Sequence, residues 1–138
     1  IAEGLDKNGV IDTIDINEEL QEIQKRFFDK SRYRNQINQH IGNALDVIPK
    51  INKRFDLVFL DADKENYINY FHLVIDKIIS GGILISDNVL WSGKVADKKN
   101  SDLITQNLRE FNNLVNNDKR LETLILPVRD GLSICRKI

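Results

Sequence analysis

Residues 54–67, RFDLVFLDADKENY, run from an apolar stretch straight into Asp61, Asp63, Lys64 and Glu65. The pattern recurs at GGILISDN, where an apolar run ends in Asp87 and Asn88, and at GVIDTIDI, which carries Asp15 near its end. Asp61, Asp87 and Asn88 together offer three oxygen donors. Hard divalent cations prefer oxygen, and Mg²⁺ keeps waters or substrate oxygens beside a few carboxylates. Neither His40 nor His72 is close in sequence to this group, which argues against zinc. Asp15 suits another task, since an acid at a strand end of a Rossmann-like unit commonly hydrogen-bonds ribose hydroxyls. Lys64, three residues past Asp61, can serve as a base or as a fixed positive charge. Taken singly, each residue has a plainer role as a helix cap or a solvated loop residue. Three carboxylates at equivalent strand ends weigh against that reading.

The elements that must position these residues alternate. Residues 9–16 predict a strand, and residues 17–30 a helix with Asn17 as cap, acids in its first turn, and Leu20, Ile23 and Phe27 at helical spacing. A weaker strand follows at 35–42, then a short helical piece at 44–51 and an apolar strand at 55–62. Tyr67, Tyr70, Phe71, Val74, Ile75 and Ile78 mark the buried stripe of the next helix, with Gly81 and Gly82 as its stop signal. Residues 82–87 predict a strand, and 101–117 a helix with Ile104, Leu108, Phe111 and Val115 on one face. Two strands, 121–128 and 132–138, close the chain around the turn sequence RDG. Alternating strands and helices predict an α/β fold: a parallel sheet with helices on both faces, and an antiparallel hairpin at its end. In such sheets ligands bind at the carboxyl ends of the strands, where Asp15, Asp61 and Asp87 all fall.

Composition sets the frame. With 138 residues, 41% hydrophobic and 30% charged, the chain reads as a single domain able to bury a core. A net charge of −1 provides no global argument for nucleic acid or membrane. No apolar run approaches membrane-spanning length. Cys135 is the only cysteine, so no internal disulfide forms; this fits the reducing cytoplasm.

The stretches FDLVFLDADKENY, GGILISDNVLWSGKV and LPVRDGLSICRKI resemble the cation-dependent O-methyltransferases of the caffeoyl-CoA and catechol type, and within them the bacterial branch that includes tRNA 5-hydroxyuridine methyltransferases. The resemblance implies a Rossmann-like methyltransferase sheet, S-adenosylmethionine as methyl donor, and Mg²⁺ or a similar ion held by Asp61, Asp87 and Asn88. It implies that Asp15 binds the ribose, that Asn43 and Ala44 lie near the adenine, and that Asp61 and Asp63 lie on the cofactor side. Lys64 matches the position of the family's proposed base, and Trp91 walls the substrate. The acceptor would be a hydroxyl that chelates the ion, on a catechol-like molecule or on 5-hydroxyuridine in tRNA, and the active form a homodimer. The family's first strand and its glycine-containing cofactor loop have no counterpart here, because IAEGLDKNG reads as the end of a helix that follows them. The chain is therefore expected to be the C-terminal portion of a longer protein, poor at binding S-adenosylmethionine alone.

Other readings compete. The Asp-x-Asp of FLDAD also resembles the aspartyl-nucleophile phosphatases, with Asp61 as nucleophile and Asp63 as acid. Lys64 and Glu65 stand where that family has a small hydroxylated residue nearby, and two βα units precede the motif. A non-catalytic fragment is the third reading. Trp91 can simply pack on the sheet. His40 and His72 lack a nearby motif and read as structural or exposed, and Cys135 as a small core residue. Lys25, Arg26, Lys30, Arg32 and Arg34 form a basic run of the kind usually solvated. Lys94, Lys98 and Lys99, in the loop past SDN, would suit an anionic substrate.

Overall fold

The computed structural model describes residues 1–138, which divide into two compact units, Ile1–Ile51 and Asn52–Ile138. The α/β class is as predicted. The strands pair as two sheets, β1–β2 in the first unit and β3–β4–β6–β5 in the second, so β1 and β3 each end a sheet.

The first unit is a βαβ element. β1 (Ile11–Asp15) and β2 (Ile37–Ile41) run parallel with Asp15 opposite Ile41. Between them lies α1 (Gln21–Lys30), preceded by a 3₁₀ turn at Glu18–Leu20. Asn17 caps that turn as predicted, its side chain accepting from the Glu19 amide. The helix expected from the apolar spacing is present, and Leu20, Ile23 and Phe27 are 43%, 45% and 62% exposed. α2 (Ala44–Val47) follows β2, and Ala2–Gly4 forms only a 3₁₀ turn.

The second unit holds the core. β3 (Phe55–Leu60) and β4 (Ile78–Asp87) are parallel, while β6 (Leu132–Lys137) runs antiparallel to β4 on one side and to β5 (Leu121–Leu126) on the other. α3 (Tyr67–Val74) and α4 (Leu103–Asn117) supply Tyr67, Phe71, Leu108, Phe111 and Val115, which bury with Ile78, Leu84 and Cys135. The rings of Tyr67 and Phe111 meet edge to face, centroids 5.2 Å apart. Asp102 caps α4, accepting from the Thr105 hydroxyl at 2.7 Å and its amide at 3.0 Å; the hydroxyl first and then the amide hold the Asp102 carboxyl below its ordinary range. No helix is long and apolar enough to cross a membrane.

One expectation is corrected. Gly81 and Gly82 do not stop a helix, and Ile78 is not on one. α3 ends at Val74, and Ile78 opens β4 opposite Phe55. The pairing then shifts register before Leu57 meets Ile83. Gly81 has φ +81°, and a Cβ on Gly82 would lie 2.7 Å from Ile78 Cγ2 and 3.1 Å from the Phe55 carbonyl. The two glycines therefore make a bulge where backbones approach closely. Glycine marks helix stops and strand bulges alike, so composition alone could not separate them. Ile78 is buried in either setting.

Candidate functional site

The parallel pairing of β3 with β4 decides where the acids fall. Leu60 lies opposite Ser86, so Asp61 and Asp87 leave the two strands at the same level. The chain then turns into a 3₁₀ segment, Lys64–Asn66, that leads into α3. Tyr67, fully buried, sends its hydroxyl back to these strand ends. Its single proton is shared between the carbonyls of Asp87 at 2.9 Å and Leu60 at 3.2 Å, and its oxygen accepts from Lys64 Nζ at 2.8 Å. Lys64 also donates to Asp61 Oδ1 at 3.1 Å, and its ammonium lies 4.8 Å from the Tyr67 ring centre. Its side chain is only 10% exposed, while Asp61 is half exposed. The bland reading of Lys64 as a solvated lysine therefore does not hold.

Burial pushes the Tyr67 phenol far up, with the Asp61, Asp87 and Asp63 charges adding to it. The group is thus a neutral hydrogen-bond donor rather than a base. Replacing it tests the arrangement. Tyr67→Phe leaves two strand-end carbonyls and Lys64 short of a partner, so it should destabilise the protein by about 1–3 kcal/mol in urea denaturation. An unchanged midpoint would mean that water replaces the hydroxyl without loss.

Asp63 is held differently. Tyr70 Oη donates to its Oδ1 and Asn66 Nδ2 to its Oδ2, each at 2.5 Å. Burial acts to raise its pKa, but these bonds and the Lys64 charge outweigh it, and Asp63 lies below its ordinary value. The Tyr70 hydroxyl is pushed up by burial and by Asp63. A carboxyl depressed in this way contributes stability above the usual carboxylate range and loses it as pH falls through the folded value.

Past Asp87, whose Oδ1 accepts from the Asn88 amide at 2.7 Å, the backbone turns left-handed at Asn88 (φ +58°), Trp91 (φ +48°) and Ser92 (φ +54°). Asparagine tolerates this conformation; a bulky tryptophan does so only when its surroundings hold it. The holder is the hairpin turn. Val89 donates to the Gly131 carbonyl at 3.1 Å, Leu90 to the Asp130 carbonyl at 2.9 Å, and the Ser92 amide to the Asp130 carboxylate. Gly131 has φ +85°, and a Cβ there would meet Leu90 Cγ at 2.4 Å, so only glycine lets the turn dock. Asn112 of α4 adds a bond to the Val89 carbonyl at 2.9 Å. Arg109 grips the lysine-bearing loop beyond, donating to the carbonyls of Lys94, Val95, Asp97 and Asn100 at 2.6–2.9 Å.

The first unit brings together a second group. Asp15 and Ile41 end β1 and β2 level with each other, and the Gly42 amide donates to the Asp15 carbonyl at 2.9 Å. Asn43 and Ala44 follow directly, with Asn43 capping α2 through the Leu45 amide. The Asp15 carboxyl is held below its ordinary value, first by the Asn17 amide and then by the Gln24 side chain. His40 bonds Asp12 at 2.9 Å, His72 is exposed, and Cys135 is buried beside Thr123 and Ser133.

Thus Asp61, Asp63, Lys64, Asp87, Asn88 and Trp91 gather in one unit, and Asp15, Asn43 and Ala44 in the other. Sequence reasoning took Tyr67 for a core residue only and missed Asp130, Asn112 and Arg109. The available signal for Tyr67 was a hydroxyl on a buried stripe, which must find a partner.

Comparison with known proteins agrees with this architecture. The family model described as O-methyltransferase matches residues 1–138. A caffeoyl-CoA O-methyltransferase of Petroselinum crispum is 37% identical over 149 residues, covering 99% of this chain and 62% of the relative. Caffeoyl-CoA O-methyltransferase 1 of Arabidopsis thaliana is 34% identical, covering 99% and 58%. Among solved structures, an O-methyltransferase from Bacillus cereus in complex with SAH superposes with TM-score 0.91 at 27% identity, covering 99% of this chain and 66% of that one. The O-methyltransferase TomG of Streptomyces achromogenes, in complex with SAM, gives 0.90 at 24%, covering 99% and 65%, a likeness that speaks for the fold alone. The chain spans about three fifths of the length of the curated relatives it matches. With the family model matched from first residue to last, the chain belongs to the O-methyltransferase family.

Proposed function

We propose that the chain works in an S-adenosylmethionine-dependent O-methyltransferase whose acceptor is a small molecule bearing a hydroxyl beside a second oxygen, of the catechol or caffeoyl-ester kind. The observation that carries this reading is the Lys64–Asp61 pair, clamped by Tyr67 at the joint end of β3 and β4, level with Asp87 and Asn88. Methyl transfer needs the acceptor oxygen, the methyl carbon and the sulfonium sulfur in line, and positioning supplies much of the acceleration.

A divalent cation fits the donors present. The proposed donors are two carboxylates, Asp61 and Asp87, at strand ends that lie level, with the Asn88 amide next in the chain; no three His, Cys, Asp or Glu side chains gather into a metal-binding group. Such a partial oxygen set suits Mg²⁺, which retains waters or substrate oxygens. Bound there, the ion would make a hydroxyl more acidic at neutral pH. In this reading Lys64, once its ammonium has given a proton to solvent, receives the acceptor's proton, Trp91 walls the acceptor, Asp63 fixes the DADK turn on the cofactor side, and Asp15, Asn43 and Ala44 hold the nucleoside of the cofactor. The assembly is read as a cytoplasmic homodimer.

The phosphatase alternative loses support at Asp63. A general acid must carry a proton, and Asp63 is held ionised by two donors. Labelled S-adenosylmethionine tests the proposal, offered with a catechol thioester, with tRNA containing 5-hydroxyuridine, or with neither. Cation-dependent transfer to the small molecule is expected. Transfer only to tRNA would replace the acceptor class, and phosphate-ester hydrolysis without transfer would overturn the reading.

Lys64 has its own test. Lys64→Ala should lower kcat on the order of a hundredfold, the scale of a lost general base, while leaving cofactor affinity nearly unchanged. Lys64→Arg keeps the charge; activity restored by arginine would make Lys64 a fixed charge instead. Turnover unaltered in both variants removes it from the mechanism.

A further inference from the structure

We propose that Gln24 and Gln39 are positioning residues for cofactor binding: a side-chain relay that fixes the Asp15 carboxylate to receive a vicinal diol. The inference rests on Asp15 contacting the cofactor's ribose, as proposed above. Three elements of the first unit meet in this relay. Gln39, on β2, donates from Nε2 to Gln24 Oε1 at 2.6 Å. Gln24, on α1, donates from its own Nε2 to Asp15 Oδ2 at 2.7 Å, at the end of β1. The other carboxylate oxygen, Oδ1, accepts the Asn17 amide at 2.9 Å.

The directions matter. A primary amide can face a carboxylate with its NH₂ or with its carbonyl, and only the first is attractive. The Asp15 carboxylate, which only accepts, selects the NH₂ end, and the bond that Gln39 donates to the Gln24 oxygen holds that orientation. The carboxylate is thereby gripped on both oxygens, with the Ile16 amide as a further backbone donor, which stops its rotation. A carboxylate held in one orientation presents its two oxygens side by side, the spacing that two adjacent hydroxyls need. The same bonds keep Asp15 ionised, which strengthens acceptance from neutral donors. Gln24 and Gln39 are both half-buried, which favours a held geometry over a fluctuating surface pair.

The test is calorimetric titration of the full-length protein with S-adenosylhomocysteine and with its 2′,3′-dideoxyribose analogue. Asp15→Asn, Gln24→Leu and Gln39→Leu are compared with the parent. Gln24→Leu should weaken binding of the ribose ligand about tenfold, the scale of one hydrogen bond to a charged group, and leave the dideoxy analogue unaffected. Gln39→Leu should act in the same direction by a smaller factor. Gln24→Glu, which keeps the shape but sets a second carboxylate against Asp15, should be worse than Gln24→Leu, and it serves as the check if leucine perturbs folding. Equal losses for both ligands would make the relay merely structural and overturn the proposal. Loss in Asp15→Asn with none in the glutamine variants would overturn it too. No ribose-specific loss in Asp15→Asn would instead remove the reading of Asp15 on which the relay rests.

Discussion

Asp61→Ala and Asp87→Ala should each abolish cation-dependent methyl transfer, a fall on the order of a thousandfold, while the protein stays folded. The scale follows from the several kcal/mol that a bound cation contributes to a reaction of this type. The two acids are the only charged donors of the proposed ion set, so removing either leaves one carboxylate and a neutral amide. Folding should survive because Asp61 is half exposed and its ion pair with Lys64 is not part of the core. Asp61→Ala carries a second effect, since Lys64 loses one of its two side-chain partners. Asn88→Ala should do less, because it removes a neutral donor. Two measurements check the claim: turnover with and without chelator, and direct titration of Mn²⁺ into each variant. Full activity of Asp61→Ala in chelator would show that no ion is held there.

Phe111→Ala should be the most destabilising single substitution considered, by about 3–5 kcal/mol, the range for deleting a buried aromatic. Phe111 is fully buried on α4, and its ring meets the Tyr67 ring at 71°. Truncation removes dispersion contacts, opens a cavity, and loosens the side chain whose hydroxyl ties the ends of β3 and β4 together. The prediction thus couples core to site. Phe111→Leu, which refills part of the volume, should recover much of the loss. Urea unfolding followed by tryptophan fluorescence would measure both variants, with Trp91 as the single reporter. A loss below about 1 kcal/mol would mean that the site collapses without a cavity and that Phe111 is not the brace proposed.

The sequence by itself determined the element types. The stripe on α3 and the Leu108, Phe111 and Val115 face of α4 have the 3.6-residue period that only a helix places on one side, and those residues are buried. The strands ending at Asp15, Asp61 and Asp87 were equally legible, because apolar runs that stop in acids mark where a strand leaves the core. The family motif added which residues to watch. What pattern reading misplaced was local: the glycines taken for a helix stop, and Ile78 taken for a helix residue, belong to β4 and its bulge.

Only the tertiary structure decided how the site is held. Nothing in the spacing of Lys64 and Tyr67 says that one caps the other, or that a core tyrosine reaches two strand ends distant in sequence. The left-handed turn at Trp91 depends on Asp130 and Gly131, nearly forty residues away, and the orientation of Asp15 on Gln24 and Gln39. The physical reason is common to all three. Periodicity reports which face of an element avoids water, a property of neighbours along the chain. A buried polar group takes whichever partner the packed elements bring within hydrogen-bond reach, and that is settled only when the strands have found their register.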